Sequence, residues 1–348
     1  MIKPQTSSDI RAKLKKLFSL AKFPKRFYSN LIFKKRREQV LEHKKILEKA
    51  KKEYLEYENV TFVIQTFNKG SQSEKVLSPL LSRKCANIIV FADGCIDKSA
   101  LTWHEKLKGK NHLVIAANDL HEINNYRLSI QIANEWKCDY VVLMQDDDFY
   151  DHRLFKWLDS AITASNLYNG AVVGGNSGCD IDKEFEYKAA DQGICSAPFQ
   201  TKVTRSGTRF YEVGNYERML LKDRFYDANS LLPHRFNCSV NRAPQLINIA
   251  AAIDLSFFPR ELEPFQYDDY FNCFTAWING YTIINMPLSK FGGCQGIGGM
   301  RLYNDVQRNK RPIHFADNWN FILHKLSNKF SQISDLTKQA NHLHFSKH

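Results

Sequence analysis

The stretch Tyr140-Val141-Val142-Leu143-Met144 runs through Gln145 into three consecutive carboxylates, Asp146, Asp147 and Asp148. A continuous apolar run, rather than an alternating one, is the pattern of a strand covered on both faces in a parallel sheet. In open α/β sheets the ligand crevice lies outside the carboxyl ends of such strands. The three acids therefore stand where a ligand would stand. Neighbouring carboxylates repel one another unless a cation or a set of donors neutralises them. Asp146 and Asp148 are two apart and share a face of an extended segment, while Asp147 points elsewhere. Oxygen-only ligands suit a hard cation such as Mg²⁺ or Mn²⁺. The same three residues also read as a solvated acidic turn ahead of a helix that starts near His152.

Around this stretch, strands alternate with helices. Val60-Thr61-Phe62-Val63-Ile64-Gln65-Thr66 is a β-branched strand ending on Phe67-Asn68. A helix is expected over about 74–82, a strand over 86–92 and a short strand over 113–116. A helix over about 124–137 leads into the central strand at 140–144. A helix within 150–170 then leads to a strand at 171–175. Alternation of this kind specifies a doubly wound, mostly parallel sheet flanked by helices. Residues 178–245 are polar and aromatic with weak periodicity, and are read as the region that grips an acceptor. An acidic pair, Asp268-Asp269, opens a helix to about 278, closed by Asn279-Gly280 and followed by a strand over 281–284. A glycine-rich loop over 292–299 has the composition of a mobile cover over a ligand, or of an ordinary surface loop. One more amphipathic helix spans about 319–342.

Charge separates the ends from the body. Residues 1–58 hold 17 Lys/Arg and 7 Asp/Glu, a net +10. The whole chain is 49 − 37 = +12, so the remainder carries only +2. Ile10, Leu14, Leu17, Phe18 and Ala21 fall on one face of a lysine-flanked helix in this arm, and Pro24 ends it. A basic amphipathic arm suits an anionic membrane surface, or packs on protein with its charges solvated. It carries no nucleic-acid motif and no interleaved aromatics, so nucleic acid is not the expected partner. Eight cysteines are scattered without a Cys-x-x-Cys pair, which favours reduced thiols in a cytosolic compartment. No signal-peptide core and no run long enough to span a membrane occurs. The expected location is cytoplasmic, peripheral on the inner membrane face. The chain divides into an arm at 1–58, a body at 59–316 and a helical tail at 317–348.

In their order, these signals resemble the inverting nucleotide-sugar glycosyltransferases of the GT-A fold, in particular family 2. Thr66-Phe67-Asn68 is similar to the turn that ends the first strand in that family. Ala92-Asp93-Gly94-Cys95-Ile96-Asp97 is similar to its Asp-Asp-Gly-Ser-x-Asp pattern. Asp146-Asp147-Asp148 fits its DxD metal motif, and Asp268-Asp269 followed by Gly280-Tyr281 matches its acidic pair and Gly-aromatic helix end. The resemblance covers about residues 60–285. It implies a GT-A fold and transfer of a sugar, with inversion, from a nucleotide-sugar to a hydroxyl of a glycan or lipid-linked acceptor. It also implies a Mn²⁺ or Mg²⁺ ion that neutralises the departing diphosphate.

Residue by residue, the resemblance assigns the metal to Asp148, with Asp146 on the ribose or in the metal shell and Asp147 beside the donor. His314 is the best-placed additional metal ligand, or a structural histidine. Asp269 becomes the general base for the acceptor hydroxyl, and Asp268 orients it or binds the acceptor. The bland reading of this pair is acidic charge favoured at a helix N-terminus. Phe67 would stack on the nucleobase, or cap the core. Thr66, Asn68 and Asp93 would contact the nucleotide, and Arg127 would reach the donor or stay solvated. A UDP-sugar is the implied donor, but Ala92 stands where many relatives carry the aspartate that recognises uracil. Two other classes remain open. One is sugar-phosphate nucleotidyl transfer, against which stands the absence of a glycine-rich phosphate turn after the first strand. The other is a non-catalytic binding protein on a degenerate fold of the same kind.

Overall fold

A computed structural model describes residues 57–81, 87–146, 148–150, 153–177, 179–181, 202–203, 209–212, 231–232, 234–264, 267–288, 292–293 and 305–345. The body opens with β1 (Val60–Thr66), α1 (Ser73–Leu81), β2 (Asn87–Asp93), α2 (Ser99–Lys106), β3 (His112–Ala117), α3 (His121–Glu135) and β4 (Tyr140–Gln145). Next come β5 (Asp148–Phe149), α4 (Arg153–Tyr168), β6 (Gly170–Ser177), β7 (Cys179–Ile181), β8 (Lys202–Val203) and β9 (Arg209–Glu212). The remainder holds β10 (Arg235–Phe236), β11 (Val240–Asn248), α5 (Ile249–Asp254), α6 (Asp268–Ile278), β12 (Thr282–Asn285), β13 (Gly292–Gly293), α7 (Asp305–Leu326) and α8 (Phe330–Phe345).

The architecture is α/β. One eight-stranded sheet runs in the order β10-β12-β6-β11-β4-β1-β2-β3. Its β1–β2, β2–β3, β1–β4 and β6–β12 pairings are parallel, and β11 is antiparallel to both its neighbours. β1 pairs with β4 from Val60 against Tyr140 to Gln65 against Gln145, so both strands end at the same edge. β2 ends there too, with Thr66 opposite Ala92. The central strands are buried along nearly their whole length, as their unbroken apolar runs require. Helices cover them with large side chains, among them Trp103, Trp157, Trp277 and Trp319, all inaccessible or nearly so.

Two departures from the sequence reading matter. Residues 240–245, expected to belong to a variable region over 178–245, form with 246–248 a strand at the middle of the sheet. Their local signal is poor because Pro244 interrupts them. The ladder to β6 shifts register between Asn241 and Gln245, and a bulge is where a strand tolerates proline. The close approach explains the glycines facing it. A Cβ on Gly174 would lie 2.5 Å from Val240 Cβ, and one on Gly175 2.4 Å from Pro244 Cδ. The second departure is at the C-terminus. α7 runs across the boundary expected at 316/317, and α8 follows as a separate helix. Trp319, Ile322, Ile333 and Leu336 join the same core as the sheet.

The basic arm, apart from its last two residues, lies outside the described residues, as do Asp147 and most of 178–230 and 294–304. Among the described residues no helix is long and apolar enough to cross a membrane.

Candidate active site

The edge at which β1, β2 and β4 end collects most of the residues singled out in the sequence. Asp146, the first residue past β4, is almost buried. Its Oδ2 accepts from the Phe67 backbone N–H at 3.1 Å, and its Oδ1 from Lys69 Nζ at 2.8 Å. Both members of this ion pair are largely enclosed, with side-chain exposures of 10% and 11%. The Thr66-Phe67-Asn68 turn is thereby tied to the acidic motif. Asn68 takes a positive φ of 53°, a conformation that asparagine tolerates better than most residues. From there its N–H donates to Cys95 Sγ and its Oδ1 accepts from Ile96 N–H, which ties the turn to the loop after β2. Burial pushes the Cys95 thiol pKa up. Thr66 Oγ1 is buried without a hydrogen-bond partner among the described residues.

Asp93, at the end of β2, is fully enclosed. It accepts from the backbone N–H groups of Leu120 and His121, each at 2.7 Å, and from Asn125 Nδ2 at 2.9 Å. It thus caps the N-terminus of α3, where an anion is favoured, and its carboxylate is consumed by the fold. Ala92 is buried. Arg127 is likewise engaged within the protein. It donates to Phe258 O, to Asn124 and to Glu263, the last at 2.5 Å, and so joins α3 to the segment before α6.

The acidic pair opens α6 as expected. Asp268 is fully buried, and Asp269 keeps a side-chain exposure of 13%. Asp269 Oδ1 accepts from Gln245 Nε2 and its Oδ2 from Arg242 Nε, both at 3.3 Å. Arg242 also donates to Asp268 Oδ1 and to Glu122 Oε2, each at 3.0 Å. Burial, only partly opposed by Arg242, pushes the Asp268 carboxyl up to about 7 and raises that of Asp269. β11 runs antiparallel to β4, with Gln245 opposite Leu143. Its N-terminal end, with Arg242, is therefore beside the C-terminal end of β4. Asp146 follows the end of β4, and Asp269 is held from α6 by Arg242 and Gln245 of the adjacent β11, toward the same edge of the sheet.

Asp148 begins β5, whose backbone pairs with Gly293 of β13. His314 lies within α7. The side chains of Asp148 and His314, and the whole of Asp147, fall outside the described residues. Among the described residues no group of three or more His, Cys, Asp or Glu is placed to hold a metal. The chemistry of the donors still suits a hard cation. Of the acids, Asp146 has its charge balanced by Lys69. Sequence reasoning passed over Lys69, Glu122, Arg242 and Gln245. Only Lys69 carried a signal, being the residue directly after the turn that ends β1.

No protein-family profile matches this chain, and no curated protein sequence does. Three solved structures are distant likenesses. One is S. aureus TarS in complex with UDP-GlcNAc, with 13% identity, a TM-score of 0.39, and coverage of 66% of this chain and 57% of that one. Another is GalNAc-T7 with UDP, GalNAc and Mn²⁺, with 12% identity, a TM-score of 0.47, and coverage of 80% and 54%. A third is the mannosyltransferase PcManGT from Pyrobaculum calidifontis with GDP-Man and Mn²⁺, with 12% identity, a TM-score of 0.45, and coverage of 90% and 85%. The chain thus spans a little over half the length of the first two.

Proposed function

We propose that this chain is a metal-dependent inverting glycosyltransferase of the GT-A type, moving a sugar from a nucleotide-sugar to a hydroxyl of a glycan or lipid-linked acceptor. One observation carries the reading. Asp269, a carboxylate kept partly accessible, is held at the same sheet edge where β4 ends in Asp146. A base for the acceptor and an acid-lined end for the donor is the division of labour that inversion at a sugar carbon needs. Asp148 would hold a divalent cation, which neutralises charge on the departing diphosphate. The chain's own residues do the rest. Lys69 and the Phe67 N–H fix Asp146, which then presents its remaining lone pairs to the donor. Phe67, half-buried on a turn pinned at both ends, offers its ring to the base. With Asp93 and Arg127 committed to the fold, the base is recognised through the β1 turn rather than through them.

Nucleoside diphosphates test this directly. UDP or GDP at millimolar concentration with Mn²⁺ should raise the melting temperature by several degrees, and with EDTA by none. A ligand present at about 100 times its Kd adds roughly 2.7 kcal/mol. Equal stabilisation with and without the ion would remove the metal from the proposal. The basic segment 1–58 is the part that would meet an anionic membrane. The chain should therefore co-sediment with phosphatidylserine-containing vesicles and not with neutral ones, and loss of that difference would remove the membrane.

A further inference from the structure

The Arg242 guanidinium has a different carboxylate on each of its three nitrogens. Nε faces Asp269 Oδ2, NH1 faces Glu122 Oε2 and NH2 faces Asp268 Oδ1. Its plane lies over the Tyr126 ring, 5.0 Å from the centroid. One side chain on β11 thus gathers acids from α3 and α6, and it is itself 9% exposed. A tie between two elements would need one carboxylate. Here three share a single positive charge, in surroundings where each loses most of its hydration.

The three are not equivalent. Asp268 is sealed, and its Oδ2 has no hydrogen-bond partner among the described residues. Glu122 lies at the rim with 26% of its side chain exposed. Asp269 lies between them, accessible enough to meet an acceptor and fixed by a donor on each oxygen. We propose that Arg242 is the positioning residue that aims Asp269 at the acceptor hydroxyl, and that Glu122 tunes Asp269 by competing for the same guanidinium. This inference rests on the reading of Asp269 as the base.

The physical logic is electrostatic. A guanidinium shared three ways stabilises Asp269 less than one shared two ways, so Asp269 keeps a higher proton affinity and is the better base near neutral pH. The other groups around the pair do not disturb this. Tyr126 is held neutral, burial pushing its phenol well up. Cys273, on α6 itself, is likewise held as a thiol by burial. His121, next to Glu122, has its pKa lowered, mainly by burial. β12 has no charged residue, and the described side chains that α7 and α8 bury, among them Asn318, Trp319, Ser334 and Thr337, are uncharged.

The experiment is the pH profile of free-sugar release from a panel of UDP- and GDP-sugars with Mn²⁺, for wild type, Glu122→Gln, Arg242→Lys and Asp269→Asn. Glu122→Gln frees the guanidinium for the Asp pair. At about pH 5.5 it should keep a fraction of its maximal rate about fivefold larger than wild type keeps. Arg242→Lys offers a point charge that cannot span three carboxylates. Its maximal rate should fall, and its acid limb should move the opposite way. A tie that was only structural would lower both rates without moving either limb. Superimposable, merely scaled profiles alongside a dead Asp269→Asn overturn the role of Arg242 and leave the base in place. An active Asp269→Asn, or no turnover of any donor by wild type, overturns both. Glu122 is at the rim, so Glu122→Gln decides the matter even where Arg242→Lys fails to fold.

Discussion

Asp269→Asn lowers turnover by about 10³-fold and leaves nucleoside diphosphate affinity within about twofold. A positioned base contributes on the order of 10²–10⁴ to such a reaction. The substitution removes that contribution and adds a second fault. Both oxygens of Asp269 receive donors, Gln245 Nε2 on one side and Arg242 Nε on the other. An asparagine can satisfy only one of them, and its amide N–H₂ must face the other donor. The signature is a fall in kcat and kcat/KM together, because the lost interaction is made with the acceptor in the transition state and not with the donor. Asp268→Asn is the control. That carboxyl is sealed from solvent and held by Arg242, so it is not placed to meet the acceptor. Its amide substitute should cost about tenfold. Isothermal titration with UDP or GDP, set beside steady-state rates, separates the two variants. Equal losses for both would mean that the pair acts as a unit and that Asp269 has no separate role.

What could be read from the chain, and what could not, divides along the range of the signal. β1, β2 and β4 announce themselves because a strand covered on both faces must be apolar at every position, and that shows within six residues. The opening of α6 by two acids is equally local. β11 is not legible. Pro244 and the polar Asn241, Arg242 and Gln245 break its pattern, and it is a strand only because β4 and β6 supply partners on both sides. Arg242 is invisible for the same reason. Its partners lie 26, 27 and 120 residues away, and no spacing rule connects them. Lys69 stands next to a recognised turn, but its partner is 77 residues on. Asp93 could be seen but not understood. A motif position suggests a ligand contact, and nothing in the sequence says that its acceptors will be used by backbone N–H groups at the start of a helix.

That commitment makes Asp93→Ala the most destabilising single change at this edge, with an expected loss of about 4–6 kcal/mol. A hydrogen bond to a charged group is worth roughly 1.5–3 kcal/mol, and leaving a buried donor unsatisfied costs about 1–3 kcal/mol. Asp93, itself sealed from solvent, satisfies the N–H groups of Leu120 and His121 and the buried amide of Asn125 at once. Domains of ordinary stability have only about 5–15 kcal/mol in total. The variant should therefore unfold at a much lower urea midpoint with an unchanged slope. Asp93→Asn keeps one acceptor oxygen and should lose about half as much. A nucleotide-contact role makes the opposite forecast, with weaker UDP or GDP binding at wild-type stability. The two are mutually exclusive because a carboxylate bonded to Leu120, His121 and Asn125 would have to abandon the start of α3 to reach a base. If the midpoint holds while affinity falls tenfold, Asp93 faces the donor. If the midpoint collapses, α3 and with it Glu122 and Tyr126 are placed by Asp93, and the acid cluster around Arg242 depends on the second strand as much as on its own residues.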